Sequence, residues 1–152
     1  MGVENKTCDQ FMKAAIEEAE QGRTEGGIPI GSVLVHKEKI IGRGHNRRVQ
    51  NGSVVLHGEM DALEHAGRQP ARVYNECTIY TTLSPCPMCS GAILLYGIPR
   101  VVIGENQTFL GEEVLLRSRG VAVEVLQDEI CIQLMTEFIR SNPALWNEDI
   151  GV

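Results

Sequence analysis

Two short runs hold residue types that can do chemistry together: His57-Gly58-Glu59 and Pro85-Cys86-Pro87-Met88-Cys89. Both are expected at helix starts. Two cysteines three residues apart in a first helical turn aim their sulfurs the same way, and the unpaired N–H groups and positive dipole there favour thiolates. Two such sulfurs and an imidazole suit a soft dication such as zinc. Structural zinc takes four protein ligands, whereas catalytic zinc takes three and keeps a position for water. His57, Cys86 and Cys89 are therefore the candidate metal ligands, and Glu59 is the candidate carrier of the water's proton. Two other chemistries use the same cysteines: a thioredoxin-like redox pair, and a closed structural zinc site with Cys77 or Cys8 as fourth ligand. The histidine and glutamate of the first run weigh against the redox pair, and the lack of a second paired cysteine motif weighs against the closed zinc site.

The elements that must position these residues follow from periodicity. Thr7 to Glu20 reads as a helix with Phe11, Ala15 and Ala19 on one face and Gly22 as its stop. After a turn at Gly26-Gly27, strands at Ile30 to Val35 and Ile40 to Arg43 flank the turn His36 to Lys39 as a hairpin. His57 to Ala66 reads as a second helix, with Met60, Leu63 and Ala66 inward and Gly67 as its stop. A strand at Thr78 to Leu83 leads through Ser84-Pro85 into a third helix, Cys86 to Tyr96, closed by Gly97. Strands at Arg100 to Ile103 and Val121 to Leu126 come next, then a helix near Asp128 to Arg140 with Ile130, Leu134 and Phe138 as its stripe. Strands alternating with helices predict an α/β domain of three layers, α/β/α.

At 152 residues and 43% hydrophobic content, one domain spanning 1–152 is expected. There is no apolar run of membrane-spanning length, and the first twenty residues lack a secretory pattern, so a cytoplasmic protein with no membrane partner is expected. Five cysteines with one close pair fit reduced thiols better than a disulfide framework. The net charge is -6 and the basic residues are dispersed apart from Arg43, Arg47 and Arg48, so long nucleic acid is not an expected partner.

H-x-E followed by P-C-x-x-C is a pattern of zinc nucleobase deaminases, and the resemblance runs further. Gly44-His45-Asn46, Leu56-His57-Gly58-Glu59, Leu83 to Cys89, Tyr96-Gly97-Ile98-Pro99-Arg100 and Trp146 to Gly151 together resemble the fungal-type cytosine deaminases of the cytidine-deaminase superfamily. Glu25 to Gly31 and Val102 to Phe109 match in order and rough spacing. The resemblance implies a central five-stranded mixed sheet, a homodimer, and one zinc per subunit on His57, Cys86, Cys89 and a water. It further implies that Asn46 and the Gly58 N–H hold the ring and its O2 while Glu59 faces N3. Ser84, through its carbonyl, and Asp149 would receive the exocyclic amine, with Phe109 and Trp146 enclosing the ring. This chain departs from the fungal pattern after the tryptophan, where it has Asn147 in place of an aromatic residue. The implied substrate is a free nucleobase, cytosine first, with isocytosine, guanine, a nucleoside, a nucleotide or tRNA adenosine as alternatives.

Two thiolates neutralise the charge of Zn²⁺, so its water is acidified less than on an all-histidine site and a local base is needed. Glu59 would take the water proton, pass it to the ring nitrogen and later protonate the departing amine. That double duty calls for a raised pKa, which partial burial supplies. Other residues have plainer readings: His36, His45 and His65 as turn, loop and helix-surface residues, Asn46 as a turn residue, and Asp61 as a surface acid. Arg47 and Arg48 read as solvated charges, or as contacts to a phosphate or partner subunit. Phe109 and Trp146 read as core aromatics by type alone. Trp146, Asp149 and Ile150 within the last seven residues predict a tail tied to the body.

Overall fold

The computed structural model describes the backbone of residues 2–152 and the side chains from residue 10 onward; the side chain of Cys8 lies outside the described residues. In chain order the elements are α1 (Gly2–Thr24), β1 (Gly31–His36), β2 (Lys39–His45), α2 (Arg48–Asn51), α3 (Gly58–Ala66), α4 (Ala71–Tyr74) and β3 (Cys77–Thr81). They continue with α5 (Pro87–Leu95), β4 (Arg100–Ile103), α6 (Glu113–Ser118), β5 (Ala122–Val125), α7 (Glu129–Ser141) and α8 (Pro143–Asp149).

The strands form one mixed sheet in the order β2-β1-β3-β4-β5. The β1–β2 and β1–β3 pairs are antiparallel, and β3–β4 and β4–β5 are parallel. The hairpin turns through Lys37 and Glu38, both at positive φ, as a two-residue primed turn requires. Alternation along the strands feeds two cores. Leu34, Ile79, Val101 and Ile103 pack with Ala66 of α3, Ile93 of α5 and Leu116 of α6 on one face. Val33, Val35, Tyr80 and Val102 pack with Phe11, Met12 and Ala15 of α1 and Cys131 of α7 on the other. The three layers and five strands expected from the sequence are present.

Several local expectations shift. The first helix runs on past Gly22 to Thr24. Gly22 is there for closeness: a Cβ on it would stand 3.1 Å from the His45 ring. The inward face of α3 is Gly58, Glu59, Asp61, Ala62 and Ala66, with Met60 and Leu63 half-buried. Small residues face inward because β2 lies hard against them. A Cβ on Gly44 would come within 2.6 Å of the Ala62 backbone nitrogen, and one on Gly42 within 2.3 Å of the Ala62 carbonyl. On α7 the buried residues are Cys131, Leu134 and Met135, while Ile130 is exposed. Asp128 caps that helix by accepting from the Ile130 and Cys131 N–H groups.

Candidate active site

His57 and Cys86 are the N-cap residues of α3 and α5, both in extended backbone, so each side chain stands at a helix mouth. Cys89 lies one turn into α5. The ligand atoms meet: His57 Nδ1 is 3.4 Å from Cys86 Sγ and 3.7 Å from Cys89 Sγ, and all three atoms fall within 4.8 Å of one another. A tetrahedral zinc with bonds of about 2.0–2.1 Å to nitrogen and about 2.3 Å to sulfur has N···S edges of about 3.5 Å. The donor set fits zinc by type and by spacing. Cys77 is elsewhere, at the start of β3 with its thiol on the Val73 carbonyl. No fourth cysteine reaches this cluster among the described residues.

The three donors and Glu59 are close enough to shift one another's protons. The Cys86 thiol is held down to about 4 by a hydrogen bond from Cys89, burial opposing, with His57 adding to the fall. Cys89 is pushed well above the usual thiol range by sharing its proton with Cys86 and by burial. Burial opposes protonation of His57, yet its bond to Cys86 and the charges of Asp149 and Glu59 raise it to about 9. Glu59 is 4% exposed. Burial first, and the Cys86 charge second, push its carboxyl up to about 7.

Beside this cluster lies a small cavity lined by His57, Glu59, Cys86, Ser84, Asp149, Phe109 and Trp146, with Ile30, Leu83 and Ile150. It sits beyond the carboxyl ends of the parallel strands β3 and β4, where open α/β sheets place ligands. Phe109 and Trp146 meet edge to face, with ring centroids 5.8 Å apart at 87°. Both are packed in a third apolar cluster with Ile28, Ile30, Leu83 and Met135, so they serve as core and as pocket wall. The tail is tied down as expected: α8 carries Trp146 and Asp149, both buried.

Ser84 is fixed by its hydroxyl, which donates to Glu113 (2.6 Å) and accepts from the Gly111 N–H (2.9 Å). Glu105, fully buried, accepts from the Gln107 and Thr108 N–H groups and from the Thr108 hydroxyl, shaping the loop that presents Phe109. Asn46 and Gly58 stand outside the lining. Asn46 reaches the cavity through Asp149, to which its Nδ2 donates (3.1 Å). Gly58, as first residue of α3, has no intrahelical partner for its N–H.

Four plainer readings are corrected. His45 is buried at the end of β2, bonded through Nδ1 to Glu18 and through Nε2 to Glu25, both at 2.8 Å. Asp61 is buried and accepts from the His45 N–H (3.0 Å) and Arg47 Nε (2.8 Å). Arg47 is thereby paired, and Arg48 is paired with Glu148 and Asp149. His36 closes β1 and bonds Glu76 (3.0 Å). His65 is on the helix surface, as expected. Nothing in the spacing of these residues marked them, because their partners lie up to a hundred residues away. The pairings exist only in the fold.

Residues 5–105 match the family model described as the cytidine and deoxycytidylate deaminase zinc-binding region. A cytosine deaminase from Candida albicans is 56% identical over 141 residues, covering 92% of this chain and 94% of that protein. A tRNA-specific adenosine deaminase from Streptococcus pyogenes is 42% identical over 140 residues, covering 86% and 88%. A solved structure from work on A-to-I editing by tRNA:A34 deaminases superposes with a TM-score of 0.68 at 27% identity, over 82% of this chain and 98% of that one. The zinc-competent triad at two helix mouths, the buried glutamate beside it and the matching sequence over most of the length make one statement: this chain belongs to the cytidine and deoxycytidylate deaminase family of zinc-dependent deaminases.

Proposed function

We propose that the protein hydrolyses free cytosine to uracil and ammonia, as a step of pyrimidine salvage. The observation that carries this is what lines the cavity: a mostly apolar wall with Glu59, Ser84 and Asp149 as its polar points, set against the three candidate zinc ligands. Identity of 56% with the Candida albicans cytosine deaminase supports the same substrate. The tRNA-specific relative makes an RNA adenosine the second reading. A net charge of -6 gives a polyanion little to hold, which favours the free base.

His57, Cys86 and Cys89 would hold the zinc, which would supply Lewis acidity to the attacking water. Glu59, its carboxyl near neutrality by burial, takes the water proton and delivers it to the ring nitrogen, making C4 electrophilic. Once the water oxygen has added to C4, the same group carries that oxygen's remaining proton to the amine, the C4–N bond breaks and ammonia leaves C4 as a carbonyl. Ser84, through its carbonyl, and Asp149 accept from that amine, Asn46 and the Gly58 N–H hold the ring and its O2, and Phe109 and Trp146 clamp its faces.

The whole chain, 1–152, acts as one domain, in the cytoplasm and as a homodimer. Large exposed apolar side chains near the site residues in sequence support a partner surface: Val54 and Val55 ahead of His57, and Leu110 after Phe109. Ammonia release from a panel of bases and nucleosides tests the substrate. Cytosine is turned over and cytidine is not, since a pocket closed around the ring leaves no room for a ribose; comparable rates on both overturn the free-base reading.

A further inference from the structure

The carboxylate at the cavity's edge is held from outside the cavity. The Asp149 side chain is 1% exposed. Its Oδ1 has Asn46 Nδ2 at 3.1 Å, Arg48 Nη1 at 3.2 Å and His57 Nε2 at 3.5 Å. With Oδ1 so engaged, Oδ2 is the atom of Asp149 with capacity for a group in the cavity. A buried carboxylate also needs a counter-charge, and of these three partners Arg48 alone carries a fixed one.

Arg48 is itself immobilised, its side chain 9% exposed. Nε donates to the Val54 carbonyl (3.0 Å), while Nη1 (2.9 Å) and Nη2 (2.6 Å) fork onto the Glu148 carboxylate. That bidentate pair fixes the guanidinium plane, and with it the direction from which Nη1 meets Asp149. The Arg48 N–H donates to Asn46 Oδ1 (3.0 Å), so Asn46 and Arg48 form one rigid unit at the start of α2 gripping α8. Arg48 does not line the cavity.

We infer that Arg48 is a positioning residue for substrate selection: it turns Asp149 so that Oδ2 faces the exocyclic amine, and so ties activity to rings that carry one. The inference rests on the amine-accepting role proposed for Asp149. A ring without the amine, pyrimidin-2-one, separates this role from general support of the tail. As the sole tryptophan, Trp146 reports binding by fluorescence.

The experiment compares wild type, Arg48→Met, Arg48→Lys and Glu148→Gln for kcat and KM on cytosine and for the Kd of pyrimidin-2-one. Arg48→Met lowers kcat/KM on cytosine about 10- to 100-fold, the usual cost of losing an outer partner of a site residue, and shifts pyrimidin-2-one affinity much less. Arg48→Lys keeps charge without the fork and falls between. Glu148→Gln, which weakens the fork that orients the guanidinium but leaves the Arg48–Asp149 contact, loses less than Arg48→Met in the same direction. Equal losses on cytosine and pyrimidin-2-one, or unchanged kcat/KM in Arg48→Met, overturn the inference; if that variant does not fold, an Arg48→Lys protein matching wild type does so. Wild-type protein inert on cytosine sinks the substrate reading alone. The same ratio, on whichever aminated base is turned over and its analogue lacking the amine, then decides Arg48.

Discussion

Glu59 has the environment of a group that must both accept and donate at neutral pH. Burial and the neighbouring Cys86 charge bring its carboxyl to about 7, where neither form is scarce. Glu59→Gln therefore keeps the fold and one zinc per chain while losing about 10²- to 10⁴-fold in turnover, the worth of a positioned acid–base group. Elemental analysis and steady-state rates check it; near-normal turnover moves the proton carrier elsewhere. The clustering of this residue with the three candidate ligands was legible because their relationships are local: H-x-E and C-x-x-C fix geometry within a turn or two. Glu113 and Glu105, which hold Ser84 and the Phe109 loop in place, carried no such mark. A buried glutamate looks like any other acid until the loop that bonds to it is in view.

The long elements announced themselves by apolar period, and the short ones did not. Four-residue α2 and α4 and six-residue α6 span too few turns for a stripe to repeat. In α8 the sequence marked the burial of Trp146 and Asp149 but not the helix that carries them, despite Pro143 at its first turn. Glycines misled once, at Gly22, where closeness to His45 outweighs helix propensity. Gly44 is the sharper case of the same demand. Its missing side chain lets β2 touch α3, and α3 is what brings His57 and Glu59 to the cysteines. Gly44→Ala forces a shift of strand against helix and destabilises the protein by about 1–3 kcal/mol. Urea unfolding measures it, and an unchanged midpoint means the contact can relax freely.

At the scale of the molecule, His45 fastens α1 and the turn after it to the sheet through Glu18 and Glu25. Its bond to Glu18 is the main reason its pKa rises above 6.5, burial opposing. That contribution to stability is complete below about pH 6.5 and is lost as pH climbs through the raised value. The carboxylates run the other way: Glu18 is lowered chiefly by His45, and Glu25 falls to about 2 through Gln21 and then His45. Their share is present above about pH 4.5 and lost on acidification, so the cluster is strongest between about 4.5 and 6.5. The melting temperature falls from pH 6.5 to 9 by more in wild type than in His45→Gln; parallel curves would mean that His45 does not titrate in that range. The bond from Asn46 to Asp149 joins residues 103 apart, whereas the zinc donors lie within 33 consecutive positions, 57 to 89. Closing the larger loop costs more chain entropy and comes with the docking of α8. Undocking α8 would therefore take Trp146 and Asp149 away from the cavity while the three donors keep their places at the mouths of α3 and α5.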